Sequence, residues 1–348
     1  MTQRYLALDG LRGIAAIFVV IYHMGAIESP SYPFSSAYLA VDLFFVLSGF
    51  VLSHAYDGPL GCGMTLSQFM ARRLARLYPA YLFGLMLGIV ALLITADKIS
   101  SGKFATALIT GLALIPVPIE LSKEPPIFPL DGPAWSLFLE LVVNAAFALF
   151  FPRLTRRGLL FIILTSSIIL VPLAGLYGNL NLGWDVPNFW GGFPRASFSF
   201  FTGILLHRIR PEGVQRFGIV IMCVGILALT LPIPASAHAK YDLAFVLLLA
   251  PATVAAGAGL RLSGLLAKLA EICGDISYPL YIIHVPFVVM LKSAAEEWTP
   301  LQTFVANALA LPLIVTAAWL LAHFYERPVR HYLSSFGERA GLQVKQQA

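Results

Sequence analysis

Charged residues are scarce in this sequence. Only 12% of its 348 residues are Asp, Glu, Lys or Arg, while 58% are hydrophobic and the mean hydropathy is +0.81. Soluble domains carry about 25% charged residues, so this composition excludes a soluble globular domain and indicates an integral membrane protein. Cysteine is also scarce, because Cys62, Cys223 and Cys273 are the only three and show neither metal-ligand spacing nor a disulfide framework.

Other signals are lacking as well. The N-terminal segment is polar at Leu8-Asp9 and has no small-residue cleavage site after Ile27, so we expect its apolar stretch to be retained. The net charge of +5 is spread over many short loops, which argues against nucleic-acid binding. No cluster of His, Cys or carboxylates has ligand spacing, so we expect neither a metal nor a redox cofactor.

The apolar residues group into segments long enough to cross a bilayer. A spanning helix needs about 20 apolar residues, and the pattern predicts an all-α membrane protein, a bundle of about ten transmembrane helices. The segments are 11–27, 38–55, 79–96, 134–151, 159–176, 195–206, 217–232, 242–258, 275–293 and 303–324. A further stretch, 104–119, is short and contains Pro116 and Pro118, and we interpret it as re-entrant or interfacial.

The basic residues indicate the orientation, because cytoplasmic loops carry an excess of Lys and Arg. With the N-terminus inside, most of the 23 basic residues fall in inner segments. These are Arg4 and Arg12; Arg72, Arg73 and Arg76; Arg153, Arg156 and Arg157; Arg208, Arg210 and Arg216; Arg261 and Lys268; Arg327, Arg330, Arg339 and Lys345. The distribution favours an even number of spans with both termini in the cytoplasm.

His23 lies inside the first apolar segment, eleven positions after Arg12. At about 1.5 Å per residue the two are about 16 Å apart along a helix, which places His23 well inside a bilayer about 30 Å thick. Ionisable groups at that depth cost about 2.5–3.5 kcal/mol and are usually functional. Because an imidazole exchanges protons near neutral pH, we interpret His23 as a catalytic residue and group Arg12 with it.

Asp42 lies near the outer start of the second segment, at a depth similar to that of His23. A carboxylate beside a histidine fixes its tautomer and raises its basicity, so we predict that Asp42 orients His23 as a general base or nucleophile. The alternative is a buried polar pair that only holds two helices together. Ser48, further along the same segment, is a candidate substrate-binding residue.

Three arginines precede the third segment, at Arg72, Arg73 and Arg76. Arg73 and Arg76 are three residues apart and share a helix face. Closely placed guanidinium groups suit a polyanion such as pyrophosphate. The spacing alone favours the other interpretation, anchoring to anionic lipid.

Glu140 and Trp135 lie near the outer start of the fourth segment. A carboxylate inside a membrane helix needs a partner or a wet cavity, and we interpret Glu140 as a catalytic residue. Trp135 is either an interfacial anchor, which its position favours, or a substrate-binding platform for a sugar.

His284 lies in the middle of the ninth segment, between Pro279 and Pro286. The two prolines predict an irregular helix, as at many membrane binding sites, and make His284 a candidate substrate-binding residue. A structural histidine bonded to a neighbouring carbonyl is the alternative. His323 and Glu326 are most simply interpreted as an interfacial helix end.

Taken together, these motifs resemble the membrane-bound acyltransferase-3 family, in the order expected of it and over essentially the whole chain, from Tyr5 to about Leu333. The motifs are Tyr5-x2-Leu8-Asp-Gly-Leu-Arg-Gly13, Arg12-x10-His23, Asp42-Leu-Phe-Phe-x2-Ser48-Gly49, Arg73-x2-Arg76 before Tyr78-Pro79, Trp135-Ser-Leu-x2-Glu140 and Ser277-Tyr-x2-Tyr281-x2-His284. The resemblance divides the chain into an acyltransferase-3 transmembrane domain, 1–335, and a polar cytoplasmic tail, 336–348.

The resemblance implies an enzyme that takes an acyl group, usually acetyl, from cytoplasmic acyl-coenzyme A. Acetyl-coenzyme A would be its co-substrate, and the acceptor a hydroxyl of a carbohydrate, a lipid-linked sugar or another molecule, often on the extracytoplasmic side. It also implies that Arg12 and His23 are essential and that Arg73 and Arg76, with Arg72 beside them, engage the donor. The expected location is the bacterial inner membrane, in contact with its lipids.

Two other hypotheses stay open. A transporter or flippase of a lipid-linked sugar or polar solute would use Asp42, Glu140, His23 and His284 as a proton path, although the chain halves show no inverted repeat. A cytoplasmic-face acyltransferase that acts on a small molecule is the other. The sequence does not predict the acceptor, but loop 177–194 contains Trp184, Phe189 and Trp190 and is a candidate for stacking a sugar.

Overall fold

The computed structural model describes residues 4–25, 32–95, 100–119, 126–209, 217–295 and 298–339. Within these ranges the chain is helical, without a strand and with a single isolated bridge between Pro126 and Asp185. The helices are α1 (Leu6–Met24), α2 (Ala40–Gly61), α3 (Leu66–Thr95), α4 (Ser101–Leu112), α5 (Ala134–Leu149), α6 (Arg156–Tyr177), α7 (Gly192–Ile209), α8 (Gly218–Ala228), α9 (His238–Ala244), α10 (Ala250–Ala258), α11 (Gly264–Ala294), α12 (Pro300–Leu321) and α13 (Arg327–Arg339).

Seven helical stretches are long and apolar enough to cross a membrane by length and composition. Many of their large apolar side chains face outward, such as Phe161, Ile168 and Leu176 on α6. A helix that is apolar on its outer face suits lipid rather than water. Each of the ten predicted segments lies on a helix, but α5 and α8 are shorter than a full span. The count of about ten and the cytoplasmic termini stay predictions.

Some residues used for the topology lie outside the described ranges. These are Ile27, Arg210, Arg216 and Lys345, together with positions 340–348 of the predicted tail. The structure continues helix α13 across position 335 as far as Arg339.

The stretch predicted as re-entrant or interfacial forms α4, with 12 residues. At about 1.5 Å per residue this helix is about 18 Å long, too short to cross a bilayer about 30 Å thick.

Close helix packing holds the bundle together. Helix α1 packs mainly against α11, and α2 packs mainly against α7. At the second crossing a Cβ on Gly49 would lie 1.9 Å from the Phe200 carbonyl oxygen, and one on Gly203 would lie 2.1 Å from the Val46 carbonyl oxygen. Only glycine allows these backbones to approach so closely, as at many helix interfaces in membranes.

Helix α11 corrects one prediction. It runs without interruption from Gly264 to Ala294, with Pro279 and Pro286 inside it. Each proline removes one backbone hydrogen bond, but packing against α1, α3 and α12 keeps the helix continuous. The predicted irregular segment around His284 is therefore wrong.

Candidate active site

The helices enclose a cavity of about 810 Å³, lined by residues of α1, α2, α3, α5, α11 and the segment around α13. This volume lies within the range of about 300–1,000 Å³ that is typical of ligand pockets. Seven arginines and four carboxylates line it: Arg4, Arg12, Arg72, Arg73, Arg76, Arg327 and Arg330, with Asp9, Glu140, Asp275 and Glu326. The excess of guanidinium groups suits an anionic ligand.

Part of the cavity wall is apolar. It is formed by side chains of α2, namely Val41, Phe44, Phe45, Leu47, Val51 and Leu52. The cavity therefore suits a molecule with an anionic end, which would bind the arginines, and a less polar arm, which would pack against the apolar wall.

Arg73, one of the three predicted α3 arginines, is held by a hydrogen-bond network. Its Nη2 donates to Glu140 Oε1 at 2.7 Å, and the same oxygen accepts from Ser48 Oγ at 2.8 Å. With its amide oxygen turned toward Arg73, Asn144 accepts from Nε at 3.1 Å. Helices α2, α3 and α5 thus meet at one carboxylate in the cavity wall.

This contact corrects the predicted depth of Glu140. The sequence placed Glu140 on the outer side with His23 and the arginines on the inner face, whereas the structure joins Glu140 to Arg73. The reason is that α5 begins inside the bundle, where Ala134 is fully buried. Glu140 lines the same cavity as Arg73, while the described lining does not include His23.

Arg72 and Arg76 differ from Arg73, because neither forms an ion pair with the described residues. Arg72 is exposed and Arg76 half-buried, and both line the cavity. Arg76 is close enough to Arg12, Arg73, Arg330 and the carboxylate of Glu326 for its charge to act on all four. Its guanidinium is available for a ligand.

Arg12 lies on the cavity wall and is held against α11. Its Nε donates to Ser277 Oγ at 2.8 Å, and Nη2 donates to the Gly274 carbonyl oxygen at 2.9 Å and to Asp9 Oδ1 at 3.1 Å. These bonds fix the guanidinium between the basic end of the cavity and its interior.

The part of the cavity around Arg4 holds charged residues that the sequence analysis did not assign to a site. Arg4 forms ion pairs with Asp9, Glu271 and Asp275, and Arg327 bonds Asp275. Glu326, interpreted above as an interfacial helix end, is 6% exposed and lines the cavity. The sequence did contain a signal for this position, because a carboxylate so close to a membrane span needs a partner or a cavity.

Tyr281 and Ser136 line the cavity, with their hydroxyl oxygens 2.7 Å apart, and Tyr281 is the last residue of α11 in the lining. Ser136 Oγ donates to the Pro133 carbonyl oxygen at 3.0 Å, so the Tyr281 hydroxyl is the donor between the two. The Phe44 ring packs edge-on against Tyr281, with the centroids 5.7 Å apart. We call Tyr281, Ser136 and Phe44 the barrier, because they lie between the cavity and the next turn of α11, which carries His284.

Two predicted residues meet beyond this barrier. His284 is fully buried and His23 half-buried, and His284 Nε2 lies 3.3 Å from His23 Nδ1. Their rings pack edge to face with centroids 4.8 Å apart. Neither ring lines the described cavity, although His284 is only one helical turn beyond Tyr281. The sequence selected both histidines but did not pair them.

The prediction that Asp42 orients His23 is wrong. Both Asp42 oxygens accept from Arg195 Nε at 2.9 Å, and Oδ2 also accepts from Nη2 at 2.6 Å. Both side chains are 0% exposed. A buried guanidinium needs a carboxylate, and Arg195 takes this one. The sequence analysis did not pair Arg195 with Asp42, although a lone arginine in an apolar helix is a signal for such a pair.

Trp135 is neither an exposed interfacial anchor nor part of the cavity lining. It is 8% exposed, and the Arg195 guanidinium carbon lies 5.6 Å from its ring centroid. A cation over an indole face is attracted by the ring quadrupole, so Trp135 supports the buried Asp42–Arg195 pair. Of the predicted substrate-binding residues, Ser48 lines the cavity, whereas Trp135 and His284 do not.

The described residues contain no group of three or more His, Cys, Asp or Glu side chains able to hold a metal ion. The chemistry available here is that of arginines, carboxylates and the two imidazoles.

Comparison with known proteins gives the family of this chain. The family model described as an acyltransferase domain matches residues 5–323. The chain belongs to the acyltransferase-3 family. It is therefore an acyltransferase, and its apolar helices make it a multi-pass membrane protein.

Individual relatives cover smaller parts of the chain. Protein 2 in picA locus of Rhizobium radiobacter is 41% identical over 185 residues, which are 49% of this chain and 95% of that protein. O-acetyltransferase OatA of Staphylococcus aureus (strain NCTC 8325 / PS 47) is 40% identical over 85 residues, 24% of this chain and 13% of that protein. A putative O-acetyltransferase of S. aureus (strain COL) is 38% identical over 103 residues, 28% and 16% respectively. This chain thus spans only a small part of these O-acetyltransferases, and no solved structure matches it.

Proposed function

We propose that this protein is an O-acetyltransferase of the bacterial inner membrane. It would take acetyl groups from acetyl-coenzyme A at the cytoplasmic face and transfer them to a hydroxyl of a carbohydrate or lipid-linked sugar on the other side. The observation that carries the proposal is the 810 Å³ cavity, which joins an arginine-rich end to an apolar wall and stops one helical turn from an imidazole pair. The names of the O-acetyltransferase relatives support it.

The donor would bind with its phosphates among the arginines. Arg72 and Arg76 have no ion-pair partner among the described residues, so they offer the most direct charge-assisted hydrogen bonds to phosphate. Arg73 and Arg12 are already hydrogen-bonded to Glu140 and Ser277, so they would form fixed walls of the donor site. The pantetheine arm would lie along the apolar wall of α2 and carry the thioester to Tyr281.

Acetyl transfer would then require the Tyr281 side chain to move from Ser136 and open the barrier. His23 would act through its Nε2, either as the base that takes the acceptor's proton or as the atom that carries the acetyl group between donor and acceptor. Both termini would lie in the cytoplasm, as the basic residues predict.

Labelled acetyl-coenzyme A tests the proposal. Inside-out membrane vesicles that contain the protein receive the label on their outer, cytoplasmic face, and the glycan and glycolipid fractions are then counted. We expect label in these fractions with the wild type and its loss with His23→Ala, while His323→Ala, at an exposed histidine, keeps the wild-type rate.

Solute movement without covalent label would favour the transporter. Substantial turnover by purified, folded His23→Ala would remove His23 from the mechanism. Mass spectrometry of surface glycans from a strain without the gene would identify the acceptor.

A further inference from the structure

Hydrogen bonds to backbone carbonyl groups define the tautomers of both buried imidazoles. His23 Nδ1 lies 2.9 Å from the Val19 carbonyl oxygen, and His284 Nδ1 lies 2.7 Å from the Tyr281 carbonyl oxygen. A carbonyl oxygen only accepts, so each Nδ1 must carry the hydrogen. In a neutral imidazole the other nitrogen, Nε2, then holds the lone pair.

The contact between the rings follows from these tautomers. His284 Nε2, with its lone pair, faces the Nδ1–H of His23 at 3.3 Å. The His23 hydrogen is therefore shared between the Val19 carbonyl oxygen and His284. The Nε2 lone pair of His23 has no partner among the described side chains and is the reactive position of the pair.

Among the residues that the structure describes, no carboxylate forms a hydrogen bond or ion pair with His23. Asp42 is saturated by Arg195, and the charged side chain that acts on His23 is Lys292, a cation. When the His23 ring becomes cationic during a reaction, its positive charge must therefore be stabilised by neutral hydrogen-bond acceptors. His284 Nε2 is the stronger base of the two acceptors at Nδ1, because the other is an amide carbonyl.

We propose that His284 is a positioning residue, which holds the Nδ1 proton of His23 and stabilises the cationic ring in place of a carboxylate. This inference rests on the proposed function. In the base route the acceptor O–H bond breaks as His23 Nε2 takes the proton. The oxygen bonds to the thioester carbon, the C–S bond breaks with its electron pair on sulfur, and sulfur takes the proton from Nε2.

The same support serves the alternative route. There the bond from Nε2 to the acetyl carbon forms as the C–S bond breaks, and the acetylated ring is cationic until the acceptor oxygen takes the acetyl group. The acceptor's proton then goes to the thiolate. In both routes the Nδ1–H remains on His23, and its bond to His284 strengthens while the ring is charged.

Two substitutions of His284 in the purified full-length protein test the proposal. His284→Leu removes the acceptor and should lower kcat by about 10–100-fold, the usual effect of losing a supporting partner. The KM for acetyl-coenzyme A should not change, because His284 does not line the cavity. His284→Gln offers a side-chain oxygen at similar reach and should recover part of the lost kcat.

His323→Leu is the matched control, since it makes the same replacement at an exposed histidine and should leave kcat unchanged. Wild-type kcat in His284→Leu would overturn the inference and leave the proposed function standing, provided that His23→Ala is inactive. Equal losses of kcat in the Leu and Gln variants would also overturn it. A wild-type protein that leaves the thioester intact would overturn both proposals.

A measurement on the wild type covers the case in which the variants fail to fold. Nitrogen-15 NMR of the histidine-labelled protein in lipid nanodiscs reads each tautomer directly, with His23 assigned from the spectrum of His23→Asn. We expect hydrogen on Nδ1 of His23 and His284 at neutral pH. Hydrogen on His23 Nε2 alone would contradict the proposal.

Discussion

Two arginine–carboxylate pairs lie inside the bundle, and they differ in what surrounds them. Arg195 and Asp42 are 2.6 Å apart, and both side chains are 0% exposed. Arg73 and Glu140 are 2.7 Å apart, with 8% and 22% exposure, and they line the large cavity. We call Arg195–Asp42 the closed pair, because neither side chain is exposed, and Arg73–Glu140 the open pair, because both side chains line the cavity.

The closed pair has little capacity for a ligand. Besides Asp42, Arg195 donates to the carbonyl oxygens of Leu182 and Tyr38, both at 3.1 Å, and its guanidinium lies over Trp135. The open pair has a neighbour one helical turn away on α3, Arg76, which forms no ion pair with the described residues. An intramembrane charge therefore indicates a ligand site only if its protein partners leave some of its hydrogen-bonding capacity unused.

The largest effect is expected at the closed pair. Asp42→Leu or Arg195→Leu alone leaves one buried charge without its partner and should lower the free energy of unfolding by about 3–5 kcal/mol. The measurement is the midpoint of unfolding in detergent, followed by circular dichroism. The double variant should cost less than the sum of the two, by about 1–3 kcal/mol, because it leaves no unpaired charge.

Glu140→Gln is the matched control on the open pair. It should destabilise less than either single change, because Arg73 and Glu140 line the cavity and are not fully buried. If Asp42→Leu folds as stably as the wild type and loses only turnover, then Asp42 acts in catalysis and the comparison between the two pairs is wrong.

A smaller effect, on binding rather than folding, is expected at Arg76. Arg76→Gln should raise the KM for acetyl-coenzyme A about 10–100-fold, since a hydrogen bond to a charged group contributes about 1.5–3 kcal/mol. The unfolding midpoint and kcat should change little. Initial rates at varied donor concentration measure the KM for acetyl-coenzyme A and kcat, and circular dichroism during unfolding in detergent measures the midpoint.

Arg153→Gln provides the control for Arg76. Arg153 belongs to the same predicted set of cytoplasmic arginines but is exposed and does not line the cavity. If both variants merely reduce the amount of inserted protein, the arginines anchor the chain to anionic lipid, as their spacing alone suggested.

The helices were largely predictable from the sequence, because apolar segments must follow the bilayer. The positions at which the helices begin and end were less predictable. Helix α3 begins at Leu66, whereas the predicted segment begins at 79. Arginines such as Arg72 and Arg76 lower the hydropathy of a window but are good helix formers, so the helix extends through them.

The residues of the site were easier to select than to pair. His23, Asp42 and Glu140 were recognisable because a charge or an imidazole inside a membrane segment is rare. Their partners depend on how helices far apart in the chain are rotated and shifted, which no local pattern encodes. His284 is 261 residues from His23, and Arg195 is 153 residues from Asp42.

The smallest effect is expected at Trp135, which the sequence suggested as a substrate-binding residue. Trp135→Phe keeps an aromatic face under Arg195 but weakens the cation–π contact, so unfolding should become easier by about 0.5–1 kcal/mol, with both KM values unchanged. Trp190→Phe, at an indole that is 75% exposed, should leave the stability unchanged. If Trp135→Phe instead raises the KM for the acceptor and leaves the stability unchanged, the indole contacts the substrate. The substrate site would then extend to the region around the Asp42–Arg195 pair.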